Sequence, residues 1–251
     1  MEEWYIESGK VERYNLEEND LFIYQRVRAT DNRVINLDKH LDILKTYAEI
    51  LMPQTPLPTA KEIEQMCQRL LLRGGYSASA TLFLDIRICQ SGKVRISVVG
   101  TSIYKQFSLR VLRPKAALVE GCSTPLLYPT SAEISCNQLL QNIVRQSGCD
   151  IAIAVDNRQV TAVESANPIA VHGTKVTISK SISSVYTDMV FEALQKLPQY
   201  EVSIEPLIVQ LLSTADEIFY ADYRGITAVG TLGEKHYSDS VAYAISKVIG
   251  S

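Results

Sequence analysis

Ser135 and Cys136 stand side by side where an apolar-patterned stretch begins, and a hydroxyl next to a thiol is the most direct candidate nucleophile in the chain. Nucleophilic work needs a neighbouring base to take the proton. No base is identifiable in the local sequence, and a cysteine at a helix start among apolar neighbours is ordinarily inert core. Arg28, at the end of a β-rich run, has the charge and the planar fork to hold a carboxylate; the competing reading is an exposed or ion-paired strand residue. Asn167 precedes Pro168, a setting in which an asparagine bonds local backbone and fixes a turn, with ligand contact as the competing role. Tyr24, Tyr128, Tyr186, Tyr220 and Tyr223 can line a cleft or an interface, although most buried tyrosines simply pack.

Metal and redox chemistry find little support. Cys67, Cys89, Cys122, Cys136 and Cys149 are scattered, with no CxxC pair, and His40, His172 and His236 match no ligand spacing. No metal is expected. The net charge of −3 and the lack of a basic run argue against nucleic acid. The acidic start Met1-Glu2-Glu3-Trp4 has no apolar stretch after it, and no run approaches the length of a membrane span, so no membrane association and a reduced cytoplasmic location are expected.

The elements that must position these residues follow from periodicity and punctuation. A hairpin is predicted across Ser8-Gly9, then strands over Leu21–Ala29 and Val34–Asn36 on either side of a turn at Asp31-Asn32. Asp38 is predicted to cap a helix running to about Met52. Thr59 is predicted to cap a second, with Ile63, Met66, Cys67, Leu70 and Leu71 as its stripe and Gly74-Gly75 as its stop. A hairpin over Ser79–Ile88 and Val94–Val99 and a strand over Phe107–Leu112 complete the first half. In the second half a helix is expected over about Cys136–Gln146, followed by strands at 151–155, 159–163, 169–171 and 175–178. A helix over Val185–Lys196, a strand at Glu201–Ile204, a short helix after Pro206, strands at 217–221 and 226–229, and a last helix capped by Ser238 or Asp239 close the chain. Strands dominate each half and a few helices cover them, so the class is α+β, or mixed α/β.

Three blocks carry a family resemblance. The first is Val27-Arg28-Ala29 with Asn36-Leu37-Asp38-Lys39-His40-Leu41. The second is Glu133–Leu140 followed by the strands and turn through Asn167. The third is Ala215-Asp216-Glu217-Ile218-Phe219 with Ile226-Thr227-Ala228-Val229. In order and separation they resemble the class IV aminotransferases, the fold-type IV enzymes that use pyridoxal phosphate (branched-chain and D-amino-acid aminotransferases, aminodeoxychorismate lyase). The resemblance implies an N-terminal α/β lobe over 1–115, an interlobe linker over 116–123 and a β-rich C-terminal lobe with covering helices over 124–251. It also implies a site between the lobes and a homodimer.

The resemblance further implies a Schiff-base lysine, a carboxylate for the pyridinium nitrogen and a cradle for the phosphate. The lysine position is Ser135, and the carboxylate position is Ala162, with Glu164 nearby on the same face of a strand. The helix arginine of the first block is Ile43. The second phosphate loop reads Ala221-Asp222-Tyr223-Arg224-Gly225, in which Asp222 repels a phosphate and Arg224 partly compensates. Lys105, Lys115 and Lys180 are the candidates for a relocated amine. The expectation is thus a homologue that has lost pyridoxal-phosphate catalysis, needs no cofactor, and binds a small-molecule ligand or a protein partner. Arg28, Ser135, Glu164, Asn167 and Arg224 are its candidate ligand-binding residues. The alternative is a pyridoxal-phosphate-dependent aminotransferase or aminodeoxychorismate lyase with a rearranged active site.

Overall fold

Two units, each with its own sheets and helices, divide the chain at Lys105/Gln106, and the short segment Pro129–Ser131 returns to the first unit. The computed structural model describes residues 4–7, 10–13, 21–31, 33–74, 76, 80–121 and 127–250. The expected turn at Ser8-Gly9, residues Asn32, Gly75 and Ser79, and Cys122–Pro125 lie outside the described residues.

The first unit is an antiparallel sheet with helices on one face. Its strands are β1 (Trp4–Glu7), β2 (Lys10–Arg13), β3 (Phe22–Thr30), β4 (Arg33–Val34), β5 (Thr81–Cys89) and β6 (Val94–Ser102), in the order β2-β1-β6-β5-β3-β4. The β5–β6 pair is the expected hairpin, with a register irregularity at Phe83/Leu84. Helix α1 (Leu37–Leu51) packs on β3, and α2 (Ala60–Arg73) on β1, β4 and β6.

Helix α2 starts as expected. Thr59 accepts from the Glu62 backbone N–H, and Glu62 reaches back to the Thr59 N–H at 2.8 Å, a complete capping box. Helix α1 does not start as expected. Asn36, in the left-handed region at φ 53°, is its N-cap and makes no side-chain cap bond, whereas Asp38 sits in the first turn, where its charge favours the helix dipole.

The second unit is layered. One sheet has the order β13-β9-β8-β7-β16-β17, built from β7 (Lys115–Glu120), β8 (Ile151–Asp156), β9 (Gln159–Val163), β13 (Leu207–Ile208), β16 (Thr231–Leu232) and β17 (Lys235–His236). The other runs β12-β11-β10-β14-β15, from β10 (Ile169–His172), β11 (Lys175–Ile178), β12 (Glu201–Ile204), β14 (Glu217–Asp222) and β15 (Gly225–Ala228). Ile153, Val160 and Val163 of the first meet Ala170, Ile218 and Tyr220 of the second in a shared core. Outside the first sheet lies α3 (Ser131–Gln146), whose Leu140 and Val144 rest on Ala152, Ala154 and Ala162, small residues that let the helix approach closely. Outside the second lie α4 (Val185–Leu194) and α6 (Ser240–Gly250), which share a core with β10, β11, β14 and β15. The short α5 (Val209–Thr214) follows β13. Three pairs, β7–β8, β11–β12 and β7–β16, are parallel, and α3 and α4 lie in the crossover connections of the first two. Helices and mixed sheets make the class α+β, as expected.

Three expectations are corrected here. Residues 116–120, expected to open the interlobe linker over 116–123, belong with Lys115 to the strand β7, which pairs in parallel with β8 and β16. Phe107–Leu112 is not a strand, although Leu109 bridges Ile226 and Arg110 N donates to Ile226 O at 2.8 Å. Helix α3 begins at Ser131 rather than near Cys136, so Ser135 lies one turn inside it.

Candidate functional site

Two hairpin turns of the second unit bring charged side chains together. The first joins β9 to Ala166. Val163 and Ala166 exchange both backbone hydrogen bonds, at 2.9 and 2.8 Å, around Glu164 and Ser165. Both central residues have positive φ, 51° and 65°, the geometry of a mirror-image turn that ordinarily takes Asn-Gly. Two side chains with a Cβ therefore hold a conformation that costs roughly 1 kcal/mol or more each. The second turn joins β14 to β15, with Asp222 paired to Gly225 and Tyr223 and Arg224 at its corner.

Arg224 links the two turns. Its backbone N–H donates to Asp222 Oδ1 at 2.7 Å, and its Nε and Nη2 donate to Asp222 Oδ2 at 2.9 and 2.5 Å. Its Nη2 also lies 3.5 Å from Glu164 Oε2. Burial opposes the charge on Arg224, and the adjacent Asp222 carboxylate more than offsets this, so its pKa is raised. Burial pushes the Glu164 carboxyl above its ordinary value; Arg224 pulls it down and Asp222 pushes it up again. Glu164 Oε1 and Ser165 Oγ are buried and make no hydrogen bond among the described residues.

The surroundings are buried and polar. Tyr220, 1% exposed, pairs across the ladder with Thr227, and burial followed by the charges of Asp222 and Glu164 raises its phenol pKa. Arg110 Nη1 donates to Thr227 Oγ1 at 3.1 Å. Gly225 makes that approach possible. At φ +134° an added Cβ would stand 2.5 Å from Ser108 O.

Of the five residues singled out from sequence, Glu164 and Arg224 meet. Asn167 has a structural role: fully buried, it donates from Nδ2 to Ile182 O (2.7 Å) and Thr187 Oγ1 (3.0 Å) and accepts from Ile182 N (2.9 Å). It thereby fixes the approach to α4, whose N-terminus Ser184 caps by accepting from the Thr187 N–H. Ser135 is exposed on α3.

Arg28 belongs to the first unit. It is 3% exposed, rather than a surface strand residue; Nη2 donates to Tyr104 O at 2.6 Å and the guanidinium lies over Phe83. The lysines considered as replacement amines are all exposed. Lys105 pairs with Asp31 at 2.7 Å and Lys180 with Asp188 at 2.8 Å, while Lys115 opens β7.

Sequence reasoning missed the grip of Arg224 on Asp222, the contribution of Arg110 and the role of Glu217. Glu217, fully buried, accepts from the N–H groups of Val241 (3.0 Å) and Ala242 (2.7 Å) and so caps α6. An acidic residue in a β-rich run of apolar neighbours is the signal that could have marked it.

The sequence matches no protein-family model and no curated protein. Solved structures do resemble it. The branched-chain aminotransferase of the archaeon Thermoproteus uzoniensis, determined with norvaline, superposes with a TM-score of 0.82 at 15% identity, covering 100% of this chain and 96% of that one. An aminotransferase from Brucella abortus bound to the cofactor PLP gives 0.82 at 12% identity, covering 100% and 99%. The branched-chain amino acid aminotransferase of Escherichia coli gives 0.79 at 15% identity, covering 98% and 93%. The chain therefore has the fold of the class IV, or fold-type IV, aminotransferases.

Proposed function

We propose that this chain is a non-catalytic homologue of the class IV aminotransferases, which binds a small ligand or a partner without covalent pyridoxal phosphate. The observation that carries this reading is the state of the amines. Ser135, at the position where the resemblance calls for the Schiff-base lysine, is a hydroxyl on an exposed helix face. Lys105, Lys115 and Lys180, the candidate replacements, are exposed, and two of them are engaged with carboxylates. A catalytic lysine amine works from a desolvated setting, and all three side chains are exposed.

The remaining cofactor contacts agree. A phosphate ester needs an available cation, and the Arg224 fork already holds Asp222 with Glu164 beside it. Ala162, at the position of the pyridinium carboxylate, is buried beneath α3. The residues present do not fit pyridoxal phosphate as an anchored cofactor. Exposed Leu139 and Ile143 on α3 are available to a homodimer contact, which the elution mass of the purified protein would test.

A second reading has its own support. Glu164 Oε1, buried with no hydrogen-bond partner among the described residues, is an acceptor that a pyridinium could use, and the Brucella abortus structure carries PLP in the same fold. An aminotransferase or aminodeoxychorismate lyase with a rearranged site would exploit it. Absorbance separates the two. Colourless protein that takes up no added pyridoxal phosphate is expected; a yellow chromophore fixed by borohydride to one lysine overturns the non-catalytic reading.

A further inference from the structure

Arginine recognises carboxylates and phosphates through the same two-pronged fork, so whichever anion sits in the fork first determines what else can bind there. In the second unit that anion is part of the chain. Asp222 and Arg224 lie two residues apart across one tight turn, and Asp222 receives three hydrogen bonds from Arg224, one from the backbone and two from the guanidinium. The pair is closed locally, with little chain entropy to overcome. A tethered carboxylate acts at an effective concentration in the millimolar range or above, against which a free anion must compete.

The neighbouring turn adds a second carboxylate. Glu164 is held toward Arg224 by two consecutive residues with positive φ, a backbone arrangement that orders the side chain at some cost. Two carboxylates thus face one guanidinium. The next cation, Arg110, is turned to the Thr227 hydroxyl. A phosphate entering this cluster would meet the Asp222 carboxylate already seated in the Arg224 fork, with Glu164 beside it and Arg110 engaged at Thr227, and like charges in a poorly solvated setting repel strongly.

We propose that Asp222 is a specificity-determining residue: an internal anion that occupies the Arg224 fork and excludes phosphate-bearing ligands from it. The proposal deepens the non-catalytic reading and rests on it for the assignment of the site. Its content is separate, since it concerns the anion selectivity of Arg224 and not the presence of a lysine adduct. Neutralising Asp222 should convert the cluster into a phosphate site, because the fork is then released while Asn or Ser at the same place can still accept from the Arg224 N–H.

The test titrates inorganic phosphate, by calorimetry and phosphorus NMR line broadening, into the full chain and into Asp222→Asn and Asp222→Ser. The folded variants are expected to bind phosphate about tenfold more tightly than the wild type, a gain that Arg224→Gln in the Asp222→Asn background should abolish. Folded variants that bind phosphate no better than the wild type overturn the proposal, as does a gain that survives Arg224→Gln. Should neither variant fold, the wild type decides. Modification of Arg224 by phenylglyoxal is expected to be unaffected by millimolar phosphate, and protection by phosphate overturns the proposal. A yellow wild-type protein would sink the non-catalytic reading by a different measurement, so the two failures are distinguishable.

Discussion

Glu164 and Arg224 sit on different hairpin turns, and their charged groups meet 3.5 Å apart in the second unit. Arg224 is held in place by Asp222, and Glu164 by a turn whose two corner residues both have positive φ. One oxygen of this carboxylate is buried and has no hydrogen-bond partner among the described residues, so protonation changes the stability of the site.

Glu164→Gln is therefore expected to change how stability depends on pH. Burial raises the Glu164 carboxyl above its ordinary value of 4.5, so the folded state holds that proton more tightly than the unfolded state does. Its contribution favours folding below pH 4.5 and is lost as pH rises through the raised value. Denaturant midpoints measured from pH 4 to 8 should fall more steeply with pH in the wild type than in Glu164→Gln. Glu217, also raised chiefly by burial, leaves a residual slope of the same sign in the variant. Identical slopes would contradict the assignment.

Asn167→Ala removes three hydrogen bonds and strands the N–H and C=O of Ile182 in a buried setting. A loss of roughly 2–4 kcal/mol is expected in chemical denaturation. Faster hydrogen exchange at the Ile182 amide would place the damage at the approach to α4.

Glu217→Ala uncaps α6 by removing the acceptor for Val241 and Ala242. The expected cost is about 2 kcal/mol, with lost helicity by circular dichroism. Glu217→Gln, which keeps one acceptor oxygen, should cost less; equal costs would show that the charge, rather than the cap bonds, matters.

Gly225→Ala and Gly173→Ala form a matched pair. Both glycines have positive φ, but an added Cβ meets Ser108 O at 2.5 Å in the first and nothing within 4 Å in the second. Gly173→Ala, at φ +58°, should cost about 1 kcal/mol, the conformational term alone, and Gly225→Ala distinctly more, from both its φ of +134° and the contact with Ser108 O. Similar thermal midpoints for the two variants would contradict the close approach of residues 108–110 to β15.

Much of this architecture was legible in the sequence, because periodicity and turn residues report local structure. The Thr59–Glu62 box, the hairpin over β5 and β6, and the strands from Ile151 to Ile178 all appear where the pattern puts them. The misreadings have physical causes. Lys115–Glu120 lies beside Pro114 and has charged ends, which mimics a linker, yet parallel pairing with β8 makes it a strand. The first turn of α3 is polar, so its apolar stripe shows only later. Asn36, at the N-cap of α1, has a left-handed backbone and makes no side-chain cap bond, a state that sequence does not display.

The candidate site was legible one residue at a time. Asp222 was recognisable as a charge hostile to phosphate, and Glu164 and Arg224 as polar groups in the right blocks. Their contact depends on how two turns from separate sheets meet, and that register is set by long-range packing of β9 and β14 around the shared core. Arg28 was misjudged in exposure for a similar reason, because its partner Tyr104 comes from a distant segment.

The absorbance spectrum of the purified full chain, with and without added pyridoxal phosphate, followed by borohydride treatment and peptide mapping, bears most directly on the proposed loss of the covalent cofactor. The account predicts colourless protein, no stable uptake of pyridoxal phosphate and no reduced lysine adduct. A yellow protein bleached by borohydride, with the label on a single lysine such as Lys105, Lys115 or Lys180, would contradict it.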